Sequence, residues 1–192
     1  MAAEQAPSLT TGIDIEIHQA GCVKWSEFVD GGDGILYGIP AQARHVVKFN
    51  PLDLSLTEIG PDFGEGRFKW WRKGGVRAKT GSIYCVPYVS SNSIPKISTN
   101  DGTVETLDDV EMPERGRALW ESGALAADNN IYYMPTGGRR IMKLNPDDDS
   151  LSSVWDDISG RGYGGRSGMV VGKDDCVYGT PAFTSTRTRH QV

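Results

Sequence analysis

The pattern of apolar and polar positions repeats four times along the chain. Each copy holds a short apolar segment in which a tyrosine is followed three residues later by a proline, at 35–40, 82–87, 130–135 and 176–181. The four tyrosines, Tyr37, Tyr84, Tyr132 and Tyr178, lie about 47 residues apart. A fixed period of this length indicates one supersecondary unit that is used several times.

Further segments keep the same register and predict four short strands, a to d, in each repeat. Strand a is rich in small residues and precedes the tyrosine-containing strand b, while strand c is an apolar-Lys-apolar segment about eleven residues after the tyrosine. An Asn-Pro pair ends strand c at 50–51 and 145–146, because proline stops ladder pairing and asparagine favours turns. The last repeat ends before a strand d, and residues 13–17 alternate as an extra strand of that type.

A four-stranded antiparallel unit that recurs every 40 to 50 residues is typical of a β-propeller blade, since one such sheet must stack on neighbours to bury both faces. Residues 13–192 resemble the broad class of propeller repeats that includes the kelch, NHL and YVTN families and the lactonase-like six-bladed enzymes. The resemblance is architectural. The glycine doublets at 74–75 and 137–138 fall at different points of the repeat from the kelch doublet, and only Trp155-Asp156 matches the WD40 signature.

We therefore expect an all-β fold of four blades centred on the four tyrosines, preceded by a flexible N-terminus at 1–12. Two arrangements fit this pattern. In one, the four blades close into a ring, with 13–17 completing the last blade. In the other, the repeats are part of a larger propeller, and a homo-oligomer is then an expected way to complete it.

Composition limits the classes of function. No apolar stretch reaches the 18 residues that would span a bilayer, so no membrane partner is expected. Cys22, Cys85 and Cys176 lack CxxC spacing, which favours an intracellular, cytoplasmic protein without a metal site or cofactor; a secreted protein is the alternative. The net charge of −5 argues against nucleic acid as a partner.

Charges sort onto two ends of the predicted blades. The a–b and c–d turns carry aspartates opposed only by Lys79 and Lys173, so one end is acidic. The d–a and b–c loops carry most of the arginines, and the planar guanidinium fork suits carboxylate, phosphate or sulfate. We therefore predict an anion-binding face, with a solvated rim of surface charge as the alternative. Its candidate residues are Arg72, Arg117, Arg139 and Arg140.

A tryptophan lies 12 or 13 residues before each of the first three tyrosines, at Trp25, Trp71 and Trp120, and Arg166 takes this position in the last repeat. We expect these residues near the mouth of a central channel. An indole ring there could stack on a sugar, a base or a planar cation. The alternative is that each tryptophan packs between adjacent blades.

Signals for catalysis are weaker. Glu27 and Glu121 follow Trp25 and Trp120 and could act as an acid and a base, but exposed loop glutamates are the favoured interpretation. The histidines have no ligand-type or triad spacing, and no catalytic residue is assigned. The sequence favours a non-catalytic scaffold that binds a partner protein, an anionic small molecule or a glycan. The alternative is a hydrolase or lyase acting on a sugar or lactone in the channel.

Overall fold

The computed structural model describes residues 24–64, 74–87, 93–108, 120–135, 140–155, 168–179 and 188–190. These residues form strands joined by turns and loops, and none of them forms a helix that could cross a membrane. The strands are β1 (Trp25–Asp30), β2 (Leu36–Pro40), β3 (Val46–Asn50), β4 (Ser55–Ile59), β5 (Gly75–Arg77), β6 (Ser82–Cys85), β7 (Ile94–Ser98), β8 (Val104–Leu107), β9 (Trp120–Leu125), β10 (Ile131–Pro135), β11 (Ile141–Asn145), β12 (Ser150–Trp155), β13 (Met169–Val171), β14 (Val177–Gly179) and β15 (Thr188–His190).

The strands form four antiparallel sheets, one from each repeat. Blade 1 comprises β1–β4, blade 2 comprises β5–β8 and blade 3 comprises β9–β12, each with its strands in sequence order; blade 4 has β13, β14 and β15. The predicted all-β class is confirmed, as is the a-to-d order of strands in blades 1 to 3. The predicted flexible N-terminus at 1–12 and the predicted strand at 13–17 lie outside the described residues, so ring closure stays a prediction.

Each a–b turn depends on a residue that tolerates the left-handed conformation. Three residues before the four tyrosines stand Gly34, Gly81, Asn129 and Asp175, with φ angles of 85°, 85°, 64° and 60°. Glycine has no Cβ to clash there, and Asn and Asp tolerate this region better than other residues. Each turn therefore connects strands a and b in the same way.

The core lies between the blades. Tyr37 and Ile39 of blade 1 pack with Ile83 and Cys85 of blade 2, and Tyr84 of blade 2 packs with residues of blade 3. A third cluster joins blade 3 to Val177 and its neighbours in blade 4. The inner strands β1, β5, β9 and β13 contact one another in succession. Each sheet thus buries apolar side chains against its neighbours, as stacked blades require.

Candidate functional site

Antiparallel order gives each blade two distinct ends. The b–c loop and the beginning of strand a lie at one end, named the mouth face, while the a–b and c–d turns lie at the other, named the turn face. Contacts between blades join like ends: the Gly74 amide donates to Ser26 Oγ (3.2 Å) at the mouth face, and Tyr84 OH donates to Asp149 Oδ1 (2.6 Å) at the turn face. The mouth face is therefore continuous from one blade to the next.

Two of the predicted tryptophans hold b–c loops in place at the mouth face. Trp25 Nε1 donates to the carbonyl of His45 (3.2 Å), and Trp120 Nε1 donates to the carbonyl of Arg140 (3.3 Å). Both carbonyls lie eight residues after the tyrosine of their blade. Each indole thus ties the beginning of strand a to the residue that leads into strand c.

The two indoles differ in exposure. Trp120 is only 1% exposed and packs in the cluster between blades 2 and 3, whereas Trp25 is half-buried. The burial of Trp120 favours the packing interpretation for that position. Trp25 is only partly buried at the mouth face.

The arginines of the described b–c loops lie beside these indole contacts. Arg140 is exposed directly before β11. Arg44 donates to the Asp62 carboxylate from Nε, 2.9 Å from Oδ1, and from Nη2 to Oδ2, and this pairing lowers the pKa of Asp62 to about 2. Arg44 therefore already holds a carboxylate in the geometry that arginine uses to recognise an anion.

The other predicted site residues, Trp71, Arg72, Arg117, Arg139 and Arg166, lie outside the described residues. Their convergence on the mouth face stays a prediction. Of the eight predicted site residues, the structure thus places Trp25, Trp120 and Arg140, all at the mouth face, with Trp120 buried.

The two candidate acids lie at irregularities of the inner strands. The pairing of β1 with β2 shifts between Trp25 and Phe28, and that of β9 with β10 shifts beside Trp120. Glu27 extends to the beginning of β5, where its carboxylate accepts a hydrogen bond from the Gly75 amide; burial raises the pKa of Glu27. A Cβ at position 74 would overlap this carboxylate, so the site requires glycine there.

Glu121 is buried within β9, with 3% of its surface exposed, so the expectation of an exposed loop glutamate is wrong at this position. It occupies the position in blade 3 that follows Trp120, much as Glu27 follows Trp25 in blade 1. The Glu27 carboxylate binds the Gly75 amide of blade 2, so this side chain has a structural role between blades.

Beyond these irregularities, the first two residues of β5 and the last three of β9 are small or apolar. Val76 and Ala124 belong to the apolar clusters between blades. A Cβ at Gly123 would lie 2.8 Å from Val76 Cγ2. These parts of the inner strands therefore serve the packing of one blade on the next.

The turn face contains a repeated constellation that sequence reasoning missed. Tyr37 OH donates to Asp33 Oδ2 (2.9 Å), Tyr132 OH to Asp128 Oδ2 (2.8 Å) and Tyr178 OH to Asp174 Oδ2 (2.7 Å). A lysine of strand c lies over the tyrosine ring in blades 1, 2 and 3, with Nζ about 6 Å from the ring centroid. The aspartate four residues before three of the four tyrosines was the available signal.

Blade 2 is the exception to this constellation, because Thr80 stands four residues before Tyr84. Its acid comes from blade 3 instead: Asp149 accepts hydrogen bonds from Tyr84 OH (2.6 Å) and from Lys96 Nζ (2.6 Å). Many acids of the turn face therefore serve local turns and tyrosines. Within the described residues, no group of three or more potential ligands could hold a metal ion.

Comparisons with known proteins agree with this architecture. No family model and no curated protein matches the chain. A catalytically inactive virginiamycin B lyase from Staphylococcus aureus with quinupristin is 16% identical, with a TM-score of 0.62 over 84% of this chain and 50% of that one. Hydrazine synthase from Kuenenia stuttgartiensis is 11% identical, with a TM-score of 0.59 over 95% and 48%.

An auxiliary nutrient binding protein from Bacteroides ovatus is 16% identical, with a TM-score of 0.52 over 77% of this chain and 33% of that one. The chain thus spans about half the length of the two enzymes it resembles, or less in the case of the binding protein. These similar structures include enzymes and a binding protein. At such low identity the likeness concerns the fold alone, and the chain has an all-β, propeller-like fold.

Proposed function

We propose that the chain is a non-catalytic binding scaffold whose mouth face takes an anionic ligand. The ligand would present a carboxylate, phosphate or sulfate group, carried by a small molecule, a glycan or a partner protein. The observation that carries the proposal is the matched pair of indole-to-carbonyl hydrogen bonds, which hold the loops beside Arg44 and Arg140 in equivalent positions.

Three properties of the mouth face support this function. Its loops are tied to the inner strands, so the arginines they carry lose less freedom when a ligand binds. Arg44 already holds the Asp62 carboxylate through hydrogen bonds from Nε and Nη2, and other arginines of the mouth face would hold an anionic ligand in the same way. The apolar residues Val76 and Ala124 of the inner strands pack between blades, so the loops are the source of polar contacts to a ligand.

The alternative of a hydrolase or lyase has less support. Its candidate acid, Glu27, has a raised pKa, which is typical of catalytic carboxylates. However, the Glu27 carboxylate accepts a hydrogen bond from the backbone of blade 2 and lies against Gly74, so its position is explained by packing between blades. A likeness to a lyase in fold does not transfer that activity.

Binding of a sulfated oligosaccharide and of inorganic phosphate, measured by titration calorimetry, tests the proposal. Arg140→Ala should weaken binding about tenfold, because one hydrogen bond from a charged group is worth about 1.5 kcal/mol. Arg77→Ala is the matched control: it also removes one exposed arginine, but at the turn face, where the guanidinium lies against Gly32. Equal losses in both variants, or no binding by the wild type, would contradict the proposal.

A further inference from the structure

Exposed large apolar side chains are concentrated on the two end blades. In the described part of the chain they are Phe28 (45% exposed), Leu52 (92%) and Leu54 (50%) in blade 1, and Val170 (63%) in blade 4. Large apolar side chains exposed together often mark an interaction surface. The equivalent positions of the middle blades show what these side chains face.

Phe28 lies on the side of blade 1 that faces away from blade 2. It pairs with Gly38, the residue after the tyrosine, and the equivalent residues in blades 2 and 3 are Gly75 and Gly123. A Cβ at Gly75 would lie 3.4 Å from Ile39 Cδ1 of blade 1, and a Cβ at Gly123 would lie 2.8 Å from Val76 Cγ2 of blade 2. This position therefore faces the preceding blade.

Leu54 faces the same side. Its equivalents are Gly102 and Asp149, six residues after the lysine of strand c, and all three have positive φ angles of 59°, 74° and 59°. Asp149 contacts blade 2, and a Cβ at Gly102 would lie 3.3 Å from Lys48 Nζ of blade 1. The left-handed conformation is unfavourable for leucine, and here the side chain is half exposed as well.

Val170 lies on the other side of its blade from the position of Phe28. It pairs with Tyr178, as Val29, Val76 and Ala124 pair with the tyrosines of their own blades. Those three side chains belong to the clusters that join each blade to the next one. Val170 therefore lies on the side of blade 4 that would pack against a following blade.

The two faces also match in charge. Tyr178 has its own acid, Asp174, as Tyr37 has Asp33. The turn that covers Tyr37 presents Gly102 rather than an acid at the covering position. Because Tyr178 already donates to Asp174, a turn that covers it needs no acid. Leu54, at the position equivalent to Gly102, would cover it without an acid.

We propose that the exposed face of blade 1 packs against the exposed face of blade 4 in a second copy of this chain. These side chains are exposed in the single chain, so blades 1 and 4 do not cover each other there. A second copy would add an inter-blade junction of the kind already present three times within the chain. Two such head-to-tail junctions would close two copies into a ring of eight sheets, within the range of known propellers.

The test uses the full chain in light scattering after size-exclusion chromatography and in sedimentation equilibrium. The double variant L52D/L54D gives blade 1 the Asn-Pro-Asp-Asp-Asp turn sequence that blade 3 already folds at 145–149, so it adds no new backbone strain. Val170→Asp changes the other face. Lys79→Glu is the control, because it also changes the charge by −2 at an exposed turn of blade 2.

The wild type and Lys79→Glu should have twice the chain mass of 20.9 kDa. L52D/L54D and Val170→Asp should each raise the dissociation constant at least about tenfold, because a carboxylate would be buried at an apolar contact. A mixture of L52D/L54D with Val170→Asp should recover association, since each retains one intact face. A monomeric wild type would overturn the proposal, as would a Val170→Asp variant that associates as strongly as the wild type.

Discussion

The turn face and the mouth face of this chain are built by different rules. At the turn face, three of the four blades pair their tyrosine with an aspartate four residues earlier, so each blade supplies most of its own polar partners. At the mouth face, Ser26 and Glu27 of blade 1 bind the backbone of blade 2. Trp25 and Trp120, which share one offset from the tyrosine of their blade, differ in exposure there. The pairing that recurs in three blades is therefore used for structure, and the departures from the repeat show where blades depend on one another.

The largest expected effect concerns the two tryptophans of the mouth face. Trp120→Ala should lower the free energy of unfolding by about 3–5 kcal/mol, because a fully buried indole between two blades would be lost. Trp25→Ala should cost less, since this indole is half-buried, although it makes the same kind of hydrogen bond. Urea unfolding followed by circular dichroism measures both changes. Similar losses in the two variants would show that the difference in burial does not separate their roles.

A second prediction concerns the exception at the turn face. Asp149→Asn should cost about 1–2 kcal/mol, because it removes the ion pair with Lys96 and weakens the acceptor for Tyr84 OH, while Asn still tolerates the positive φ angle. Asp147→Asn in the same turn is the control, since Asp147 is exposed.

Adding Thr80→Asp to the Asp149→Asn variant should recover part of this loss. It places an acid four residues before Tyr84, where the other three blades have theirs. Urea unfolding of the single and double variants gives the coupling. If Thr80→Asp were equally stabilising in the wild type, the two acids would be acting independently, and Asp149 would not be the substitute that the comparison of blades indicates.

The sequence was sufficient for those parts of the fold that repeat. The tyrosine offset, the small residues of strand a and the Asn-Pro turns predicted the order of strands, because each depends on neighbours within one repeat. Contacts between repeats were not predictable in this way. Asp149 reaches Tyr84 across 65 positions, and nothing in the register of the repeat marks that distance.

The candidate site was predicted less completely. Trp25 and Trp120 share one offset, yet only Trp120 is buried, because it alone packs between two blades of the described chain. The pairing of Arg44 with Asp62 depends on how the d–a segment folds back against the b–c loop, which no periodic pattern specifies. Loops of this kind carry the differences between repeats, so their chemistry must be read from the structure.

The smallest expected effect is a pH dependence that sharpens the structural role of Glu27. Burial raises the pKa of Glu27 in the folded chain, with the Gly75 hydrogen bond opposing part of that shift. The folded state therefore binds this proton more tightly than the unfolded state does. The contribution of this proton to stability is full below the unfolded pKa of about 4.3 and is lost as the pH rises through the raised folded pKa.

Glu27→Gln removes this titration, so the wild type should lose stability relative to the variant as the pH increases across that window. The difference should be on the order of a few tenths of a kcal/mol, because the side chain is partly exposed and solvent screens its charge. Urea unfolding at several pH values measures it, and Glu27→Ala gives the reference in which the anchor to blade 2 is absent at every pH. A difference between the wild type and Glu27→Gln that does not change with pH would contradict a raised pKa of Glu27 in the folded chain, because burial would then not outweigh the opposing hydrogen bond from Gly75.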